Sequence, residues 1–292
     1  MIKGKNGKRE LIALALMMPS VILMIAFKYI PISLGTYMSF FDMDIVNLPG
    51  DFVWFKNYLR AFGDARFYAS MWHNVKFFLY SLTMTFWEPI ILAILINETR
   101  KSRLTFRMLY FIPAIVPGIA MMILWKYFWQ PDYGLANFII EKLGFEGQLW
   151  LNDKNLVYFC MNFPGMVIYG GMNMVIYLAA LQNVPDEQYE AMYLEGAGFI
   201  KRMKYVTFPN LKGTVTTMLV LSMTQVFNSL DNILIWTGGG PAGATETLLV
   251  YAYKQATGSL DYSYAITMAT LAFVFTFILT TVIQRRGERE RE

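Results

Sequence analysis

Glu190-Ala-Met-Tyr-Leu-Glu-Gly-Ala-Gly198, followed by Lys201–Lys204 and then Val206-Thr-Phe-Pro-Asn-Leu211, is a polar, charged island between two long apolar segments. Its start reads as a short helix. Asp186 follows Pro185 and is placed to cap a first turn, and Glu187 and Glu190 complement the positive dipole end of that turn. The helix is expected to stop at Gly196 or Gly198, where a left-handed residue costs little. A second short piece, Phe199–Tyr205, is expected to end before Pro209. A helix–Gly–helix hairpin fixed between two membrane spans suits rigid transmission of motion. It offers no nucleophile–base pair, metal cluster or phosphate loop.

Outward from this island the chain is apolar. Hydrophobic residues make up 56% of the sequence and the mean hydropathy is +0.39, both high for a soluble domain. Six segments are long enough to cross a ~30 Å hydrocarbon core, which needs about 20 residues. They run over Leu11–Ser39, Ser70–Asn97, Met108–Trp129, Leu156–Gln182, Gly213–Thr237 and Tyr262–Gln284. All six are expected to be helices, because lipid offers the backbone of a single segment no other hydrogen-bond partner. The fold class expected is therefore all-α, a polytopic membrane protein with six transmembrane helices. The first segment is too long for a cleaved signal peptide, and no small-residue cleavage site follows it.

Positive charge predicts the orientation. Basic residues cluster at Lys3, Lys5, Lys8 and Arg9, at Arg100, Lys101, Arg103 and Arg107, at Lys201, Arg202, Lys204 and Lys212, and at Arg285, Arg286, Arg289 and Arg291. These are 16 of the 25 basic residues, and they fall on alternate loops, so those loops and both termini are expected in the cytoplasm. The net charge of +4 follows from this bias and does not argue for nucleic acid. The tail alternates its arginines with Glu288, Glu290 and Glu292, as a solvated end would.

Of the opposite loops, Asp42–Ala69 contains the aromatic run Asp51-Phe-Val-Trp-Phe-Lys-Asn-Tyr58, suited to a membrane interface. Gln130–Asn155 and Gly238–Asp261 are long enough to hold short interfacial helices. No repeat, low-complexity stretch or domain linker interrupts the chain, so a single membrane domain over 1–292 is expected, with residues 184–211 as a cytoplasmic loop within it. A large soluble domain does not fit in this length. ATP hydrolysis and high-affinity ligand capture are expected on other chains.

The island resembles the coupling loop of ABC importer membrane subunits, whose pattern is Glu-Ala-Ala, three residues, Gly, then nine residues to an apolar-x-apolar-Pro. Glu190, Ala191, Gly196, Val206 and Pro209 match it. Met192 replaces the second alanine, and Glu195 replaces the acidic residue, usually Asp, before the glycine. The resemblance narrows to the type I carbohydrate branch through four further segments. They are Phe111-Ile-Pro-Ala-Ile-Val-Pro117, Gln130-Pro-Asp-Tyr-Gly134, Tyr177-Leu-Ala-Ala-Leu-Gln-Asn-Val-Pro185, and Thr237-Gly-Gly-Gly-Pro241 with Tyr251-Ala-Tyr253. Within that branch they look like the larger maltose-permease-type subunit, over about Pro31 to Ile283. Unlike that subunit, the chain shows no extra amino-terminal spans and no large inserted extracytoplasmic domain.

The resemblance implies a type I permease core that alternates access. It implies a homologous second permease, two ATPase subunits carrying ATP and Mg, an external solute-binding protein and a carbohydrate substrate, in a bacterial or archaeal cell membrane. No cofactor or catalytic role is implied for this chain. Glu190, Ala191, Glu195, Gly196, Ala197, Gly198 and Pro209 would dock the loop on the ATPase.

Polar residues inside the spans are the candidates for the sugar path, because they are costly unless they face a cavity or a partner. Tyr169 and Asn173 lie four residues apart on one helical face. Asn173 is about ten residues, or ~15 Å, from the inner end of its span. Ser222, Gln225 and Ser229 share a face of the fifth span by their spacing. The resemblance places sugar contacts at Ser222, Ser229, Gly165 and Tyr169. Interhelical hydrogen bonding within the permease pair is the competing reading. Ala114 and Gly118 stand where the resemblance expects larger polar contacts, and either widen a cavity or allow close packing.

Glu88, beside Pro89, is a carboxylate well inside the second span. It is protonated, paired across a subunit interface, or facing the path. Asp231 should reach the outer end of the fifth span. His73 is the only histidine and reads as a satisfied interface residue, not a metal ligand, and Cys160, the only cysteine, excludes an intrachain disulfide. The 20 methionines, spread through the spans, read as packing residues.

The expected function is a permease for a disaccharide or short oligosaccharide. Uptake of a glycerol phosphate ester ranks lower, because Lys28, Lys76 and Lys126 all lie toward the outer side. An ion-coupled secondary transporter is the alternative from another class. It would call for more spans or paired repeats with broken helices, neither of which is read here. An intramembrane enzyme lacks any catalytic constellation.

Overall fold

The computed structural model describes residues 3–43, 49–99 and 103–289. Arg100, Lys101 and Arg291 of the basic clusters, and Glu290 and Glu292 of the tail, lie outside the described residues. The chain is helical almost throughout. Helix α1 (Lys3–Met24) continues through a π-helical turn, Ile25–Tyr29, into α2 (Ile30–Met38). A two-stranded antiparallel ribbon follows, β1 (Phe41–Asp42) paired with β2 (Asp51–Phe52), a feature that an all-helical reading leaves out. Then come α3 (Lys56–Gly63), α4 (Ala65–Met84), α5 (Glu88–Glu98), α6 (Arg103–Phe111), α7 (Gly118–Phe128) and α8 (Leu135–Lys142). The second half holds α9 (Val157–Gln182), α10 (Asp186–Leu194), α11 (Phe199–Arg202), α12 (Phe208–Phe227), α13 (Asp231–Trp236), α14 (Leu248–Thr257) and α15 (Tyr262–Arg289).

Prolines set several of the interruptions. A proline has no N–H and crowds the carbonyl four residues back. Just ahead of Pro31 and Pro209 the chain inserts a π turn, in which Ile30 N donates to Ile25 O and Phe208 N to Met203 O. Ahead of Pro89, Phe86 N reaches back five residues to Ser81 O at 3.0 Å. The wider turn absorbs the missing bond without ending the helix. This corrects two expectations in the island. Its second piece does not stop before Pro209 but runs through Met203–Thr207 into α12, and Pro185 takes the N-cap of α10 with no side-chain cap from Asp186. Pro113 and Pro117 act more severely. α6 gives way to a 3₁₀ turn at Ile112–Ile115, Val116 is extended, and α7 leaves at 90°.

Among the described residues, four helical stretches are long and apolar enough to span a membrane: Ile12–Met38, Ala65–Glu98, Val157–Gln182 and Tyr262–Gly287. The bent pair Leu104–Ile115 and Gly118–Phe128 makes five if it counts as one span. The straight third span expected is thus broken. The expected fifth span, Gly213–Thr237, is split at Asn228–Leu230, and α12, which carries Asn210, Lys212 and Gln225, is not among these stretches. The loops Gln130–Asn155 and Gly238–Asp261 hold α8 and α14, as their lengths suggested.

The chain folds as two compact units, Met1–Asp64 with Ala252–Leu271 and Ala65–Tyr251 with Ala272–Glu292. In the first, the Asn57 side chain donates to Ser39 O (3.0 Å) and Phe41 O (2.9 Å), joining α3 to the end of α2. In the second, one core gathers Phe86, Ile90, Ala93, Met174, Tyr177, Leu178, Leu181 and Leu211 from α5, α9 and the start of α12. Another collects Phe77, Trp129, Val157, Tyr158, Ile233, Trp236 and Val250. Buried Asn137 organises the segment between α7 and α9. It donates to Pro131 O (2.7 Å) and Gln148 O (3.0 Å) and accepts from Trp150 Nε1 (2.6 Å).

Glycines let α9 approach its neighbours. A Cβ at Gly171 would run into the backbone carbonyl of Tyr110, one at Gly170 into the Glu88 carboxylate, and one at Gly165 would lie 3.2 Å from Thr85 Cγ2. Gly118, by contrast, has nothing among the described residues within 4 Å of that position.

Candidate functional site

The larger unit contains a cavity of about 410 Å³, bounded by α4, α5, α7, α9, α12 and α13. That lies within the range of roughly 300–1,000 Å³ usual for small-molecule pockets. Gly165, Tyr169 and Asn173 line it from α9, Ser222 and Gln225 from α12, and Ser229 from the break after α12. All six line one cavity, and Tyr169 and Asn173 share a helical face as spacing suggested, with one difference in the second set. Ser229 is not on the helical face of Ser222, because α12 ends at Phe227; its Oγ donates to Val226 O at 3.0 Å.

Ser81, Thr85, Asn162, Tyr177 and Asn232 also line the cavity and escaped the sequence reading. Ser81 and Thr85 carry the signal used for Tyr169 and Asn173, polar residues four apart in an apolar run. Their hydroxyls bond to each other at 2.9 Å, and Ser81 Oγ lies 3.4 Å from Ser222 Oγ. Tyr177 is 1% exposed, and its Oη has no hydrogen-bond partner among the described residues.

Among the described residues, none that lines the cavity is charged. Lys126 donates to Ile235 O at 2.7 Å, tying α7 to α13, and the Lys76 ammonium sits 5.6 Å over the Tyr158 ring; neither lines the cavity, nor does Lys28. The surface combines neutral hydrogen-bonding groups with aromatic and Met side chains. It can hold a neutral, hydroxyl-rich molecule and presents no group to neutralise an anion.

Glu88 is not among the lining residues, although Phe86 and Pro89 on either side of it are. Its Oε2 is buried with no partner among the described residues, against the bare backbone of Gly170. Removing a carboxylate that makes no bond to the described residues should cost this chain little. Glu88→Leu is therefore expected to leave the thermal midpoint of the purified chain within about 2 °C of wild type, the equivalent of about 0.5 kcal/mol. A larger loss that appears only in the assembled complex, and not in Glu88→Gln, would show that another subunit supplies the partner.

The island forms a second feature. Gly196 adopts φ +69°, and Gly196 N donates to Tyr193 O (3.0 Å) while Ala197 N donates to Met192 O (2.9 Å). These are the two bonds of a Schellman turn, which closes α10 and turns the chain into α11. Gly198 is the extended N-cap of α11. Glu190, Ala191, Glu195, Gly196, Gly198 and Pro209 are exposed and Ala197 is buried.

Arg202, read from sequence only as part of a basic cluster, braces the turn. Its guanidinium lies 4.1 Å over the Tyr193 ring, 3.5 Å from Ala197 O and 3.8 Å from Glu98 at the end of α5. Asn210 bonds Gln188 at 2.9 Å, and Tyr189 bonds Thr207 at 3.2 Å. Beyond this brace Leu194 is 91% and Ile200 80% exposed, a rigid knob with an apolar tip.

His73 Nδ1 lies 3.0 Å from Glu246 O, a satisfied residue, and no group of three or more potential metal ligands occurs among the described residues. Cys160 is buried and free.

Residues 89–289 match the model of the family described as binding-protein-dependent transport system inner membrane component. The sulfoquinovosyl glycerol transport system permease of Agrobacterium fabrum is 29% identical over 94% of this chain and 90% of its own length. The trehalose/maltose transport system permease of Thermococcus litoralis is 28% identical over 95% and 94%. A bacterial ABC transporter chain, from a structure described as involved in import of the acidic polysaccharide alginate, superposes with a TM-score of 0.84 over 99% of both chains at 20% identity, and so has the same fold.

Proposed function

We infer what this protein does from the family it belongs to, the binding-protein-dependent transport system inner membrane components. It is the membrane-spanning permease subunit of an ABC importer for sugars. The observation that carries the substrate class is the uncharged cavity between α4, α9 and α12, with its neutral amides, hydroxyls and aromatic rings. We propose a neutral disaccharide or short oligosaccharide as the cargo. The absence of any cation from the described lining disfavours a glycerol phosphate ester. The sharp break between α6 and α7 is a feature that ion-coupled carriers also use, but family membership and the island argue against that class.

The finer parts of the reading are these. Residues 1–292 act as one transmembrane domain of six spans, with α6–α7 and α12–α13 as broken ones. Both termini and the 184–211 loop face the cytoplasm of a bacterial or archaeal cell, as the basic clusters suggest. Glu190, Ala191, Glu195, Gly196, Ala197, Gly198 and Pro209 build the coupling element. The exposed Leu194 and Ile200 give it an apolar tip for a cleft on an ATPase subunit. ATP and Mg belong to two such subunits. A homologous second permease and an external binding protein complete the complex, so this chain needs no catalytic residues.

Alanine at Tyr169, Asn173 or Ser222 is expected to weaken transport without preventing assembly. Each loses one neutral hydrogen bond, about 0.5–1.5 kcal/mol, or roughly 2- to 13-fold in apparent affinity. The readout is sugar-stimulated ATPase activity of the reconstituted complex at saturating binding protein, with the sugar identified by mass spectrometry of the copurified binding protein. Wild-type behaviour of all three variants would move the path to another face.

A further inference from the structure

The ribbon and α3 carry an exposed apolar stripe that the transport reading does not use. Phe55, Leu59 and Phe62 follow at intervals of four and three, one face of α3, and are 58%, 70% and 51% exposed. Phe52 (45%) and Trp54 (68%) extend the stripe onto β2 and the turn after it. The opposite face of α3 is the packed one, with Ala61 at 0% and Asn57 at 5%. A water-facing helix would place its polar residues outward. This one turns its large apolar side chains out and its asparagine in.

The bonds of that packed face fix where the stripe lies. Asn57 holds the carbonyls of Ser39 and Phe41, and Tyr58 Oη bonds Ser39 Oγ at 2.5 Å, all just past the end of α2. Arg60 pairs with Asp261 at 2.6 Å and covers the Tyr264 ring at 4.1 Å, while Tyr264 Oη donates to Asp64 at 2.7 Å. Asp261 in turn accepts from Tyr264 N at 3.1 Å at the start of α15. α3 is therefore clamped between the last turn of the span Ile12–Met38 and the first turn of the span Tyr262–Gly287. Both spans cross the hydrocarbon boundary there, so α3 is held at that depth.

The stripe is also continuous with a span surface. None of the apolar window of Ile12–Met38 is buried within the chain, and Leu34 and Tyr37 near its end are 53% and 59% exposed. From Tyr37 a chain of rings runs to Phe41 (4.9 Å), Phe52 (5.1 Å) and Trp54 (4.8 Å). Lys56 edges the stripe with an exposed ammonium on a long apolar stem, 3.5 Å from Asp42. Aromatic rings with basic rims at the end of a span are the composition of the interfacial belt.

We propose that Phe52, Trp54, Phe55, Leu59 and Phe62 form an in-plane anchor, with α3 lying in the headgroup–acyl boundary of the leaflet opposite the amino terminus. The occupant of the stripe is phospholipid, and the anchor fixes the outer ends of the first and last spans against the membrane plane.

The test is spin-label accessibility on the assembled transporter in vesicles of phosphatidylethanolamine and phosphatidylglycerol. Single cysteines replace Phe55, Lys56, Leu59, Phe62 and Gly63. Buried Cys160 is retained and checked for lack of labelling, and exposed cysteines of the other subunits are removed. Oxygen, which concentrates in lipid, should relax labels at Phe55, Leu59 and Phe62. A water-soluble nickel chelate should reach Lys56 and Gly63 several-fold better than those three. Equal nickel access at Leu59 and Lys56 would overturn the proposal in favour of a water-exposed face. Shielding of Leu59 from both reagents would overturn it in favour of a protein partner. Label positions whose complexes fail to assemble are replaced by Phe52 and Trp54, for which the same two outcomes apply.

Discussion

Gly171→Ala is expected to lower the thermal midpoint of the detergent-purified protein by about 2–12 °C, from an overpacking cost of about 1–3 kcal/mol and roughly 2–4 °C per kcal/mol for a chain of this size. The reason is the identity of the atom in the way. A Cβ at Gly171 meets the carbonyl carbon and oxygen of Tyr110 and the amide of Phe111. These are backbone atoms at the end of α6, where the chain is about to turn through 90° into α7. They cannot rotate aside as a side chain would. Either α6 moves away from α9, or the turn before α7 deforms, and either change reaches the cavity through Met122 on α7. Gly171→Leu should prevent the protein from accumulating. Two controls grade the effect. Gly165→Ala meets only a threonine methyl at 3.2 Å and should cost less, and Gly118→Ala meets nothing within 4 Å and should be neutral. Equal midpoints for Gly171→Ala and Gly118→Ala would show that α6 and α9 do not approach closely.

Gly196→Val should reduce sugar uptake at least about tenfold, the equivalent of about 1.4 kcal/mol of misplaced loop, while the spans stay inserted and the chain remains foldable. Gly196 sits at φ +69°, where a β-branched residue is strained and glycine is not. The Schellman turn that it closes sets the angle between α10 and α11, and so the position of Leu194 and Ile200. Nothing lies within 4 Å of an added Cβ, so backbone strain and not collision is the cause. Gly196→Asn, which tolerates the left-handed region, should retain most of the activity. Uptake and ATPase stimulation in proteoliposomes read the difference. Wild-type values for the valine variant would refute the coupling role of the island.

Several elements were legible because a local rule governs them. The left-handed stop at Gly196 follows from glycine's freedom at a helix end, and the cavity residues Tyr169, Asn173, Ser222 and Gln225 follow from the cost of polar groups in apolar helices. The same rule covers Ser81 and Thr85, which hydropathy hid inside a strongly apolar span. Other elements depended on how the backbone absorbs a proline. Pro113 and Pro117 break a span, whereas Pro31 and Pro209 are accommodated by a π turn. Whether a turn widens or breaks is decided by what packs around it, and that is not a property of four neighbouring residues. Asp186 became the first helical residue of α10, one place past the cap, so Pro185 holds the N-cap and Asp186 contributes only its charge to the first turn.

By itself the sequence determined that this is a helical membrane protein with a polar, charged loop between its fourth and fifth apolar segments, since hydrophobic length, glycine stops and charge are properties of consecutive residues. Only the tertiary structure decided which of its polar residues meet. Gly165, Tyr169 and Asn173 reach Ser222 and Gln225 because α9 and α12 pack beside each other, and Ser229 joins them from a break, not from a helical face. Glu88 stays outside that group because its carboxylate lies against the bare backbone of Gly170. The close approach of α9 to Thr85, Glu88 and Tyr110 rests on side-chain volume between distant segments, at Gly165, Gly170 and Gly171, and volume acts only once the helices are in contact.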